Sequence, residues 1–168
     1  MTSSSFVDTF EVPLDLTSVP VTDTFLGRQD ELESLWKHLQ PQKPSSRRIA
    51  ILHGLGGIGK TQLSVRFARS HKEDFTAIFW LSGKDRSTLF HSLSAAFSQL
   101  PERFQNENST TDEEIEKRAH HVLKWLALKG NTNWLVIFDN IDQYAANAKP
   151  TMHMILQSSF QEKTMALF

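Results

Sequence analysis

Apolar residues along the chain fall into two alternating kinds of run. Ile49-Ala50-Ile51-Leu52, residues 75–81 and Trp134-Leu135-Val136-Ile137-Phe138 are nearly unbroken, the mark of strands buried on both faces of a parallel sheet. Between them the apolar positions recur at three and four. Leu32, Leu35, Trp36 and Leu39 form one stripe, and Leu63, Phe67 and Ala68 a second. A third runs through Leu89, Leu93, Ala96, Phe97 and Leu100, and a fourth through Ile115, Ala119, Val122, Leu123 and Leu126. Thr111-Asp112-Glu113-Glu114 reads as the capping box that starts the fourth helix. Strand and helix alternate, which predicts an α/β sandwich of three layers on a mostly parallel sheet.

Three stretches lack such a period. Residues 1–24 are punctuated by Ser, Thr and Pro and read as a loosely held, flexible arm. Pro41-Gln42-Lys43-Pro44-Ser45-Ser46 ends the first helix and links it to the first strand, and residues 102–110 form a polar connection. Residues 145–168 make an atypical tail, so the ordered domain is placed at residues 25–144.

Composition excludes more than it assigns. With 39% hydrophobic residues in 168 the chain can bury a core, and 18 basic against 19 acidic residues create no field that would draw in nucleic acid or an anionic membrane. Cysteine is absent, which removes disulfides, thiolate zinc sites and cysteine nucleophiles. His120 and His121 are adjacent on one helix, point in different directions and make a poor chelate. No apolar run approaches the ~18 residues of a membrane span, and no secretory leader is recognisable at the N-terminus. The expectation is a soluble cytoplasmic protein.

The chemistry sits between the first strand and the second helix. Gly54-Leu55-Gly56-Gly57-Ile58-Gly59-Lys60-Thr61 meets every position of the phosphate-binding pattern G-x-x-x-x-G-K-[ST]. Glycines let the backbone approach a polyphosphate and aim N–H groups at it where the helix opens. Lys60 is expected at the β- and γ-phosphates and the Thr61 hydroxyl at a bridging Mg²⁺. The same letters also satisfy the dinucleotide fingerprint G-x-G-x-x-G, but that motif needs an acid at the end of the next strand. That strand runs instead into Ser82-Gly83-Lys84, so the mononucleotide pattern fits better.

Asp139 closes the third apolar run, and an acid at the carboxyl end of a buried strand beside a phosphate loop is the Walker B position. Asn140 follows where many ATPases carry a second acid, leaving Asp142 as the nearest carboxylate to orient a water. Fast hydrolysis is therefore not expected.

Phe25-Leu26-Gly27-Arg28, the GLGGIGKT loop and Leu135-Val136-Ile137-Phe138-Asp139-Asn140-Ile141-Asp142 occur in that order. Together they resemble the NB-ARC nucleotide-binding domain of STAND ATPases, the type found in NOD-like receptors. What the resemblance implies is an ADP/ATP switch in signalling or innate immunity, whose opened protomers assemble as a homo-oligomer through the nucleotide domain. It implies nucleotide contacts from Leu26, Arg28, Gly54, Gly56, Gly57, Ile58, Gly59, Lys60, Thr61 and Gln62, with Phe25 and Gly27 shaping the turn. Thr61 and Asp139 would hold the metal, and Asp139 and Asp142 are the catalytic candidates.

The family sheet order implied is 5-1-4-3-2, and residues 145–168 offer no convincing fourth strand and no sensor arginine. Lys163-Thr164-Met165-Ala166-Leu167-Phe168 is a short substitute at most. The expectation is a sheet incomplete towards the C-terminus, from a truncated product or a fragment. Two other readings stay open: a remnant or interaction module that binds nucleotide weakly, and a P-loop phosphotransferase.

Overall fold

Each helix forms where its apolar stripe meets a sheet face. The computed structural model describes residues 10–20, 22, 27–42, 47–105, 112–141 and 165–167. In chain order the elements are α1 (Gln29–Leu39), β1 (Ile49–Ile51), α2 (Lys60–Ser70), β2 (Ala77–Ser82), α3 (Arg86–Phe97), a 3₁₀ turn at Glu102–Phe104, α4 (Asp112–Leu126), β3 (Trp134–Asp139) and β4 (Met165–Leu167). Asp85 caps α3, its carboxylate accepting from the Thr88 N–H at 2.7 Å. The expected capping box of α4 includes Thr111, which lies outside the described residues. The α3 helix ends three residues before Leu100, where Pro101 prevents its continuation.

The four strands are parallel in the order β1-β4-β3-β2. One face carries Ala77, Phe79 and Leu81 of β2 and Trp134, Val136 and Phe138 of β3 against α3 and α4. The other carries Ile78, Leu135 and Ile137 against α1 and α2. Helices on both faces make the predicted three-layer sandwich. The period of two explains the sorting, since alternate residues of each strand face opposite layers. The strands read as unbroken apolar runs because both faces are covered.

One expectation is refined and one needs correction. The place between β1 and β3 is filled: β4 pairs with β1 over Ile49 to Ile51 and with β3 at Ile137 and Phe138. Three residues, Met165 to Leu167, are too few to show a period, which is why the sequence made so little of them. The sheet is nevertheless short at this side: β4 has three residues where β2 and β3 have six, and no strand lies beyond β1 among the described residues. Ile49 and Ile51 are accordingly 36% and 66% exposed, because the α3/α4 layer covers β2 and β3.

The second concerns the arm. Within the stretch read as loosely held, Val12 and Val19 are buried, the Val12 N–H donates to the Thr76 carbonyl at 2.8 Å, and Phe10 meets Trp125 edge-on. Isolated apolar residues among polar ones carry no periodic signal, so sequence pattern could not find these contacts.

Helix α1 is fixed to the rest by its own polar and aromatic side chains. Trp36 stacks on His71 at the end of α2, with ring centroids 3.9 Å apart and planes 5° from parallel. His71 Nδ1 lies 2.9 Å from Asp74 Oδ2, and His38 Nε2 lies 2.9 Å from the Ile49 carbonyl on the edge strand. The Trp36 and His38 contacts fix the C-terminal half of α1 against the end of α2 and against β1.

Candidate nucleotide site

The loop from Gly54 to Gly59 joins the carboxyl end of β1 to the amino end of α2, the end of a parallel sheet at which α/β proteins hold their ligands. Two glycines there are required by geometry. Gly54, where the loop leaves β1, has φ 151 and Gly59, the residue that opens α2, has φ 86, and L side chains rarely adopt either. Either substitution would deform the loop at its entry or its exit.

Lys60 Nζ donates to the Gly54 carbonyl at 2.9 Å and to Leu55 at 3.3 Å, so the ammonium lies across the mouth of its own loop. Thr61 Oγ1 lies 3.2 and 3.4 Å from the two carboxylate oxygens of Asp139. The sequence pair predicted at a metal is thus brought together from α2 and β3, 78 residues apart. A half-buried hydroxyl and carboxylate form a hard-oxygen donor set that fits Mg²⁺. Gly56, Gly57, Gly59, Lys60, Thr61, Gln62, Asp139 and Asn140 line one cavity of about 310 Å³.

Arg28 approaches from the other side. Its Nη1 donates to the Ile58 carbonyl at 2.9 Å, and its Nε donates to Glu31 at 3.1 Å, which holds the Glu31 carboxyl below its usual value. Gly27 and Arg28 both have positive φ, 77 and 59, which produces the turn that delivers the guanidinium. Asn140 has φ 62; it and Arg28 are the two non-glycine residues with positive φ among the described residues, and both border the loop. Such backbone concentrates at functional sites.

The remaining predicted residues divide. Ile58 is 45% exposed with its carbonyl on Arg28, and Gln62 turns its carboxamide to the arm: Oε1 accepts from the Thr22 N–H at 3.0 Å, and Nε2 donates to the Pro20 carbonyl at 2.6 Å. Phe25, Leu26 and Asp142 lie outside the described residues. The arm residues Pro20 and Thr22 were missed, and no pattern in that stretch marks them.

A larger groove, about 1020 Å³, lies at the opposite end of the sheet beside Glu11, Asp15, Arg69, Lys72 and Glu73. Its mixed charges and lack of a glycine loop or helix start make it a poorer polyanion site than the smaller cavity. The described residues contain no cluster of three or more metal-ligating side chains and no helix long and apolar enough to cross a membrane.

The model of the AAA ATPase domain family matches residues 24–166. The chain belongs to that family. A crystal structure of Cdc6p from Pyrobaculum aerophilum superposes on this AAA ATPase domain with a TM-score of 0.55 at 14% identity, over 93% of this chain and 43% of the other. This chain therefore spans less than half of that protein's length, and the likeness shows the shared P-loop NTPase fold. No curated protein sequence matches. The family and the fold make this AAA ATPase domain a P-loop nucleotide-binding domain.

Proposed function

We propose that this domain binds ADP and ATP with Mg²⁺ and acts as a nucleotide-dependent switch of the STAND type, with slow hydrolysis. The observation that carries the reading is the meeting of Thr61 with Asp139 beside a lysine that caps the phosphate loop. Lys60 holds loop carbonyls that a phosphate would displace, so binding exchanges neutral acceptors for charged oxygens. Thr61 and Asp139 would hold the metal, which neutralises phosphate charge when bound. Membership of the AAA ATPase family supports an adenine nucleotide as the ligand and assembly of copies through this domain.

Slow turnover follows from what stands next to Asp139. Asn140 offers an amide where a base would be needed, and it is exposed. With Asn140 in the place of the second acid and Asp142 the nearest carboxylate left to orient water, the domain is expected to hydrolyse ATP on the order of the slow intrinsic GTPases, ~10⁻³–10⁻² s⁻¹ or below. The test is the nucleotide released by heat-denaturing freshly purified protein, followed by steady-state turnover. Stoichiometric ADP with slow turnover supports the switch; no nucleotide and no binding of added ADP would refute it. Turnover above about 1 s⁻¹ by the domain alone would replace the switch with a working enzyme.

A further inference from the structure

We infer that Asn140 is a positioning residue: the left-handed turn of its backbone, and not its side chain, directs the Asp139 carboxylate at Thr61 and thereby sets the affinity of the metal site. This rests on the nucleotide reading above and adds to it the residue that aims the metal's carboxylate.

The main chain of Asp139 is fixed from the β2 side. Asp139 stands opposite Ser82 in the parallel register, and its carbonyl accepts the Gly83 N–H at 2.7 Å. The side chain has no such anchor, since among the described residues no basic group pairs with it. Its direction is left to neutral neighbours. Strand β3 ends at Asp139, and Asn140 follows with φ 62, so the extended chain stops there. The first N–H beyond the strand has no ladder to join and donates to Asp139 Oδ1 at 3.0 Å.

That one bond decides where the carboxylate points. The same Oδ1 lies 3.2 Å from Thr61 Oγ1, and Oδ2 lies 3.4 Å from it, so turning the carboxylate away from Thr61 would forfeit the backbone bond as well. Oδ2 takes no backbone donor and is the oxygen left for a cation. The residue type suits this task. Left-handed backbone is open to glycine, is tolerated by Asn and Asp, and is an outlier for β-branched residues. Aspartate at this position would set a second carboxylate beside the first, whereas Asn supplies the turn without a charge. Its side chain is exposed at the cavity wall, so what it gives Asp139 is the main chain.

The experiment compares Asn140→Gly, Asn140→Ala and Asn140→Val in the whole chain by calorimetry with a non-hydrolysable ATP analogue, in Mg²⁺ and in EDTA. Mn²⁺ in place of Mg²⁺, followed by its EPR spectrum, reads the bound metal directly. Asn140→Gly keeps the turn and is expected to stay within about 2-fold of wild type in both buffers. Asn140→Val strains the turn and should weaken binding roughly 5- to 10-fold in Mg²⁺, leave it within about 2-fold in EDTA, and weaken Mn²⁺ in parallel. Asn140→Ala should fall between them, and it carries the comparison if the valine variant does not fold. Equal losses in the glycine and valine variants would overturn the inference by making the Asn140 carboxamide the contact. Wild-type affinity in Mg²⁺ for the valine and alanine variants would overturn it too, as would equal losses in Mg²⁺ and EDTA, which would make the turn a support of the whole cavity. A wild-type chain that binds the analogue in neither buffer would defeat the nucleotide reading, and this inference with it.

Discussion

Lys60 is the residue on which most of the proposed site's affinity is expected to rest. Its Nζ already lies 2.9 Å from a loop carbonyl, so a phosphate arriving at the mouth meets a cation in position. Lys60→Ala is expected to weaken ADP and ATP binding by about 1.5–3 kcal/mol, roughly 10- to 100-fold; unchanged affinity in calorimetry would show the loop to be idle. Asp139 has a narrower task. Its carboxylate meets Thr61 and also accepts from the Asn140 N–H at 3.0 Å, so Asp139→Asn should lower Mg²⁺-dependent ATP binding more than metal-free ADP binding. Equal losses with and without Mg²⁺ would remove Asp139 from the metal site. Both residues were legible in the sequence because their chemistry is tied to fixed neighbours, a glycine loop for one and an apolar strand for the other. The hydrogen bonds of Gln62 to Pro20 and Thr22 were not, because a carboxamide has no preferred partner until the fold supplies one. Pro20 and Thr22 carried no signal of their own.

At the scale of elements, α3 shows how one cap sets a boundary. The Thr88 N–H and hydroxyl both donate to Asp85 at 2.7 Å, and the backbone bond, the larger influence, holds its carboxyl below the ordinary Asp value. A carboxylate depressed on folding stabilises the native state at pH above its unfolded value, and the contribution is lost as pH falls through its folded value. Asp85→Ala should therefore lower the melting temperature at neutral pH, and the gap from wild type should close as pH drops below about 3.9. A gap that persists into strong acid would mean that the Asp85 charge is irrelevant to α3. The cap at Asp85 was not singled out in the sequence, whereas the α3 stripe was readable from the spacing of Leu89, Leu93, Ala96 and Phe97. Strand β4 was not, because its evidence is its partners: the backbone groups of β1 and β3 need a neighbour more than Met165 to Leu167 declare themselves a strand.

For the whole molecule, the sandwich was legible from alternating periods, whereas the docking of the arm and the placing of β4 depend on contacts between distant residues. The candidate nucleotide site likewise joins distant parts: the loop after β1, the start of α2 and the end of β3. A ligand held by all of them binds only the folded state and adds RT ln(1 + [L]/Kd), about 2.7 kcal/mol at roughly 100 times Kd. At about 2–4 °C per kcal/mol for a chain of this size, ADP with Mg²⁺ should raise the melting temperature by roughly 5–10 °C. A transition indifferent to ADP would mean that nothing binds there. The order of the strands has a consequence in time. Strand β1 is made first and β4 last of the four, yet β4 stands between β1 and β3 in space. During synthesis β2 and β3 can pair as soon as both have left the ribosome, while β1 must wait with its loop and helix for a three-residue stretch still to be translated. Closure of so long a loop slows folding. Until it happens, the half of the sheet that carries the phosphate loop exposes unpaired backbone to any other strand that arrives first.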